Sequence, residues 1–189
     1  MDRMPRVILV ITLASVLTLG LVVSGCPGGP GQNGFAPGRI TGVSMDPTQS
    51  PRVGELAPDF NFETPEGEPT SISQLFGEPV LLNFWATWCS PCRHEMPFLQ
   101  QVYEDWPEDK LVLLTINVGE SSSQVAEFMQ NYGFSFPVLL DSEGNVAQRY
   151  NVRGIPTTVF IDKYGVIQEI KVGAFRSKAE IESSLSQLQ

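Results

Sequence analysis

The sequence predicts an α/β fold built around one sheet, and three observations carry that expectation. Residues 80–86 and 111–118 are nearly unbroken apolar runs, as expected of central strands buried on both faces. Helical patterns with capping signals separate the strand-like runs, which is the alternation of an α/β chain. Residues 157–162 and 166–172 flank Lys163-Tyr164-Gly165 and read as an antiparallel hairpin.

In chain order, Arg3 and Arg6 precede an apolar stretch over residues 7–23, then Ser24-Gly25-Cys26. A basic start, an apolar middle and a small-residue end describe a secretory signal. The ending resembles the lipobox of bacterial lipoproteins. That resemblance implies cleavage before Cys26, a lipid on Cys26 and attachment to the outer face of the cytoplasmic membrane or the periplasm. An uncleaved anchor and a disulfide role for Cys26 are the competing readings. The expected layout is a signal over residues 1–25, a Gly/Pro-rich tether over 26–53 and one domain over 54–189. Such a tether has a typical reach on the order of 30 Å.

Within the domain, residues 59–64 alternate Phe60 and Phe62 with polar neighbours, and Pro65-Glu66-Gly67 supplies a turn. Residues 121–132 place Val125, Phe128, Met129 and Tyr132 on one helical face. Ser121 and Gln124 form a capping box there, with Gly133 just past the end. Residues 136–140 suit a short strand and 143–150 a short helix. The last helix, over residues 177–188, opens with the pair Ser177 and Glu180 and buries Ile181, Leu185 and Leu188.

Composition excludes several functions. The 189 residues carry 12 basic and 21 acidic side chains, a formal net charge of −9, with no Lys/Arg cluster, so a nucleic-acid partner is not expected. With three cysteines and one histidine, neither a disulfide-stapled scaffold nor a structural metal site is expected.

The remaining cysteines form a C-x-x-C, Cys89-Ser90-Pro91-Cys92, where a strand gives way to a helix continuing through Met96, Leu99, Tyr103 and Trp106. A sulfur at a helix N-terminus faces unpaired backbone N–H groups and the positive end of the helix dipole, which stabilise a thiolate. Pro91 is tolerated in the first turn, whose N–H groups have no helical acceptor. One exposed nucleophile, Cys89, and one shielded resolving thiol, Cys92, is the arrangement thiol–disulfide exchange needs. A static crosslink closing so small a loop would constrain the unfolded chain little.

These residues resemble the thioredoxin superfamily. Trp85-Ala86-Thr87-Trp88-Cys89-Ser90-Pro91-Cys92 matches its active-site motif, Pro97 its helix-kinking proline, and Gly154-Ile155-Pro156-Thr157 the loop whose proline is cis and faces the dithiol. Ala57-Pro58-Asp59-Phe60, the insertion over residues 121–140 and Cys92-Arg93-His94-Glu95-Met96-Pro97 narrow the similarity to the TlpA/ResA-like membrane-tethered branch. The resemblance covers the whole globular part. It implies a thioredoxin-like fold, a central mixed sheet flanked by helices, with an N-terminal strand extension and a central αβ insertion. It also implies substrate contacts at Trp88, Pro91, Ile155, Pro156 and Thr157.

Two departures matter. Where thioredoxin has a buried Asp six residues before its first cysteine, this chain has Asn83, which does not titrate. The branch places that proton role on Glu95; a solvated helix carboxylate is the competing reading. Ser90 between the cysteines tunes the potential by an amount the motif does not give. His94 reads as a surface residue, and Phe84 and Trp85 as core.

The implied activity is an extracytoplasmic protein-disulfide reductase with no cofactor beyond the Cys89–Cys92 pair. Its implied partners are disulfide-bearing exported proteins, apocytochrome c among them, and a membrane thiol-transfer reductant; the chain is expected to be a monomer. An oxidant of the same fold and a non-catalytic binding module are the alternatives. A peroxiredoxin is excluded, since its Pro-x-x-x-Thr-x-x-Cys would need Thr at Ala86 and Pro at Leu82.

Overall fold

The computed structural model describes residues 35–44, 51–106 and 110–188. The signal and Cys26 therefore lie outside the described residues. In chain order the elements are β1 (Gly38–Val43), β2 (Phe60–Glu63), β3 (Pro69–Ser71), a 3-10 turn (Ile72–Leu75), β4 (Val80–Trp85), α1 (Ser90–Asp105), β5 (Val112–Val118), α2 (Ser122–Tyr132), β6 (Val138–Asp141), α3 (Asn145–Arg149), β7 (Thr157–Ile161), β8 (Ile167–Val172) and α4 (Lys178–Leu185).

Every residue of β4 is buried, as its sequence requires. It lies between β5, parallel, and β7, antiparallel, in an eight-stranded sheet of order β3-β2-β1-β6-β5-β4-β7-β8. Strand periodicity sends its residues to opposite faces. Leu81 and Trp85 join one core with Met96, Leu99 and Val102 of α1, Val125, Phe128 and Met129 of α2, and Ile181 and Leu185 of α4. Val80, Leu82 and Phe84 join the other, with Phe60, Phe62, Ile116, Val146 and Tyr150. Tyr150 closes that side by donating its hydroxyl to the Pro58 carbonyl at 2.7 Å. Asn83, between Leu81 and Trp85, thus belongs to the face that α1 covers.

The capping box of α2 forms as written, Ser121 accepting from Gln124 N–H and Gly133 closing the helix at φ 70°. At α4 only half of it forms: Ser177 accepts from Glu180 N–H, but the Glu180 carboxylate takes the N–H of Arg176 instead of Ser177. Tyr132, placed by its spacing on the buried face of α2, is 59% exposed and stacks on Phe134.

The tether boundary is corrected by β1. Gly38–Val43, inside the stretch assigned to a tether, pairs antiparallel with β2 and parallel with β6. A methyl group at Gly38 would collide with the Glu63 carbonyl and the Leu139 side chain, so the glycine that reads as linker composition is what lets the strand enter. Ile40 and Val43 then pack against the core.

Candidate active site

The site grows from the end of β4, where the sheet order reverses between β5 and β7; in open α/β sheets such points are where ligands are taken. After Trp85 the chain turns through residues 86–89 and enters α1. Cys89 is the helix N-cap, and its sulfur accepts the N–H of Cys92 at 3.2 Å. The two sulfurs are joined as a disulfide. Pro91 occupies the first turn, and Pro97 lies inside the helix, which runs on past it to Asp105.

The Ile155–Pro156 peptide bond is cis, and the Ile155 carbonyl oxygen lies 3.6 Å from the Cys89 sulfur. That loop covers the disulfide: Cys89 is 4% exposed and Cys92 0%, so the predicted contrast in access is narrow. Trp88 is 69% exposed beside it. Pro91 is also exposed and Ile155 half-buried. Thr157 does not join them as a contact surface. It is buried, and its hydroxyl donates to the Gly154 carbonyl at 2.7 Å, holding the loop from within.

Glu95 is wholly buried. On α1 it shares the inward stripe of Cys92, Met96, Leu99 and Val102, a helical spacing that brings it under the disulfide. Its carboxylate accepts Asn83 Nδ2–H at 2.8 Å and the backbone N–H of Phe175 at 2.8 Å. Burial pushes the carboxyl from 4.5 up to about 7; the two hydrogen bonds and the Lys171 charge oppose the rise without cancelling it. A carboxyl poised there holds or releases a proton near neutrality.

Asn83 completes the pair. Its amide also donates to Thr158 Oγ1 at 2.9 Å, while its own oxygen is buried and accepts nothing. A half-turn of the amide exchanges N–H for C=O, giving a protonated Glu95 an acceptor where the ionised form had a donor. The residue that does not titrate therefore fits both states of the one that does.

Glu120, just beyond β5, carried no signal in the sequence. Its carboxylate, 7% exposed, accepts Thr87 N–H at 2.7 Å, the Thr87 hydroxyl and Asn117 Nδ2–H at 2.7 Å. Arg93 donates to the Thr87 carbonyl at 2.9 Å. Thr87, two residues before Cys89, is thus fixed through N–H, hydroxyl and carbonyl together.

Residues 53–170 match the AhpC/TSA family. The thioredoxin-like protein YneN of Bacillus subtilis is 44% identical over 135 residues, covering 70% of this chain and 78% of its own. A thiol-disulfide oxidoreductase ResA of Geobacillus kaustophilus is 37% identical over 137 residues, 72% of this chain and 78% of its own. Among solved structures, StoA from Bacillus subtilis superimposes with a TM-score of 0.59 at 33% identity, over 69% of this chain and 98% of StoA.

Proposed function

The chain belongs to the AhpC/TSA family and is an extracytoplasmic thiol–disulfide oxidoreductase of the ResA kind; from that premise we propose that it reduces disulfides of exported proteins through Cys89 and Cys92. The observation that carries this reading is the buried Glu95, held against the helix face that bears the disulfide and poised to titrate near neutrality.

In the reduced enzyme the Cys89 thiolate, stabilised by the Cys92 N–H and the start of α1, attacks one sulfur of a partner disulfide. A Cys89–partner bond forms and the other partner sulfur leaves as a thiolate. Glu95 takes the proton of Cys92, whose thiolate attacks the Cys89 sulfur. The second partner thiolate departs and the Cys89–Cys92 disulfide closes. Two electrons pass from the dithiol to the partner, whose two thiolates take up one proton from Glu95 and one from solvent, the latter matching the proton Cys89 released on ionising. A membrane thiol-transfer protein restores the dithiol, a lipid on Cys26 keeps the domain near that donor, and apocytochrome c is among the substrates. The domain works as a monomer, with Trp88, Pro91 and Ile155 bordering the bound segment and the buried cis-Pro156 supporting them from behind.

Replacing Cys92 by Ala tests the roles. The variant should accumulate mixed disulfides between Cys89 and exported proteins, released by added thiol. A folded variant that accumulates none would favour the non-catalytic binding module. Acyl labelling should disappear in Cys26→Ser.

A further inference from the structure

The surface around the dithiol departs from the charge of the chain as a whole. Against 21 acidic and 12 basic residues overall, the segments framing Cys89 (residues 86–94, 153–157 and 173–177) contain Arg93, Arg153, Arg176 and His94 and no Asp or Glu. All four side chains are exposed. Among the described residues none of these arginines forms an ion pair within 4.0 Å. Of the nearby acids, exposed Glu127 borders Arg93 and Thr87 without pairing, and Glu180 is already engaged: one oxygen pairs with Lys171 at 2.9 Å and the other accepts the backbone N–H of Arg176.

The three segments converge on the sulfurs. Arg153 stands two residues before Ile155, whose carbonyl touches Cys89, and Arg93 follows Cys92 directly. His94 and Arg176 line a cavity of about 410 Å³ with Pro91, Phe98, Ala174 and Phe175. The cavity opens between the first turn of α1 and the β8–α4 loop, over the Phe175 N–H that holds Glu95. It combines an apolar lining with the Arg176 guanidinium and the His94 imidazole, and it adjoins the C-x-x-C.

We propose that this rim selects disulfide partners whose cysteine is flanked by acidic residues, with a carboxylate of the partner seated between His94 and Arg176. Opposite charge at the rim speeds encounter and orders the approach, and it discourages basic partners. An anionic membrane would also meet such a rim. The Arg153 loop touches the Cys89 sulfur and the His94–Arg176 cavity adjoins Pro91 of the C-x-x-C, however, and a membrane seated there would close the dithiol to its substrate. The inference rests on the oxidoreductase reading: each event reduces one partner disulfide to two thiols and oxidises Cys89 and Cys92 to their disulfide.

The test uses the full-length chain in neutral-detergent micelles, reduced with a small dithiol and then freed of it. Single-turnover reduction is followed for peptide disulfides identical except for Asp, Ser or Lys beside the cysteine. At low ionic strength the Asp peptide should react about tenfold faster than the Ser peptide, and the Lys peptide slower than both. The advantage should shrink as salt rises toward about 0.5 M. In Arg153→Gln/Arg176→Gln the Asp:Ser ratio should fall toward one, while Lys163→Gln, on the far hairpin, keeps it. Equal rates for the three peptides would overturn the charge selection and leave the oxidoreductase reading standing. Failure to reduce any peptide would sink that reading itself. Unselective peptide reduction together with Arg176-dependent binding to vesicles of phosphatidylcholine and phosphatidylglycerol would assign the rim to lipid and overturn the proposal.

Discussion

Replacing Glu95 by Gln removes the titration and keeps the shape, and its consequences for stability follow from the geometry. In the unfolded chain the carboxyl ionises near 4.5; in the folded chain burial holds its proton up to about 7. Below pH 4.5 both states are protonated and the site contributes its full stability. Between the two values the folded chain binds the extra proton, so stability falls as pH rises through that window. At about 1.4 kcal/mol per tenfold change in proton affinity, the whole loss is roughly 3 kcal/mol. The glutamine does not titrate, so Glu95→Gln should lack this slope. The new amide fits the site as the protonated carboxyl does: its oxygen keeps the Phe175 N–H, and its N–H meets the Asn83 oxygen after the same half-turn. The stability curves should therefore meet near pH 4.5 and part above it, the variant the more stable by up to roughly 3 kcal/mol above pH 7.5. Urea unfolding of the oxidised proteins isolates the effect, because disulfide-bonded cysteines do not titrate. A wild-type curve that keeps its full stability from pH 4.5 to 8, or a variant that retains the slope, would refute the assignment of a buried, proton-holding Glu95.

Two neighbours give companion tests. Asn83→Leu removes a donor to the Glu95 carboxylate, so the falling limb should move above pH 7 in the same unfolding series; an unchanged midpoint would mean that the amide does not report on the carboxyl. Glu120→Ala strips the acceptor from Thr87 N–H, the Thr87 hydroxyl and the Asn117 amide. It should cost about 2–4 kcal/mol and slow exchange at Cys89, with Glu120→Gln recovering part of both; a rate unaffected in Glu120→Ala would detach the Thr87 clamp from the chemistry.

What could be read from the sequence follows from how local its causes are. β4, β5, the β7–β8 hairpin and α2 announced themselves because their patterns and caps lie within a dozen residues. Glu95 enters the sequence reading only through the resemblance, with a solvated carboxylate as the competing reading; its spacing, three residues from Cys92 and four from Leu99, is the local signal that places it inward. β1 was not legible, because its reason is steric: Gly38 reads as flexible composition until the Glu63 carbonyl and Leu139 close around it. β3, a short edge strand opening on Pro69, has too few residues to show a period. Glu120 looked like any carboxylate after a strand, and only the fold brings Thr87 to it across 33 positions of chain. Thr157 was misjudged for the opposite reason: the motif named it, but its hydroxyl is engaged by the loop's own carbonyl.

The central claim is that Cys89 and Cys92 form a dithiol that donates electrons to exported proteins. It is tested most directly by the reduction potential of that pair, measured against glutathione or thioredoxin buffers at pH 7. The account predicts a potential in the range of reductants, about −270 mV or lower. A value near −120 mV, that of a strong oxidant, would contradict it and turn the same sulfurs into a source of disulfides.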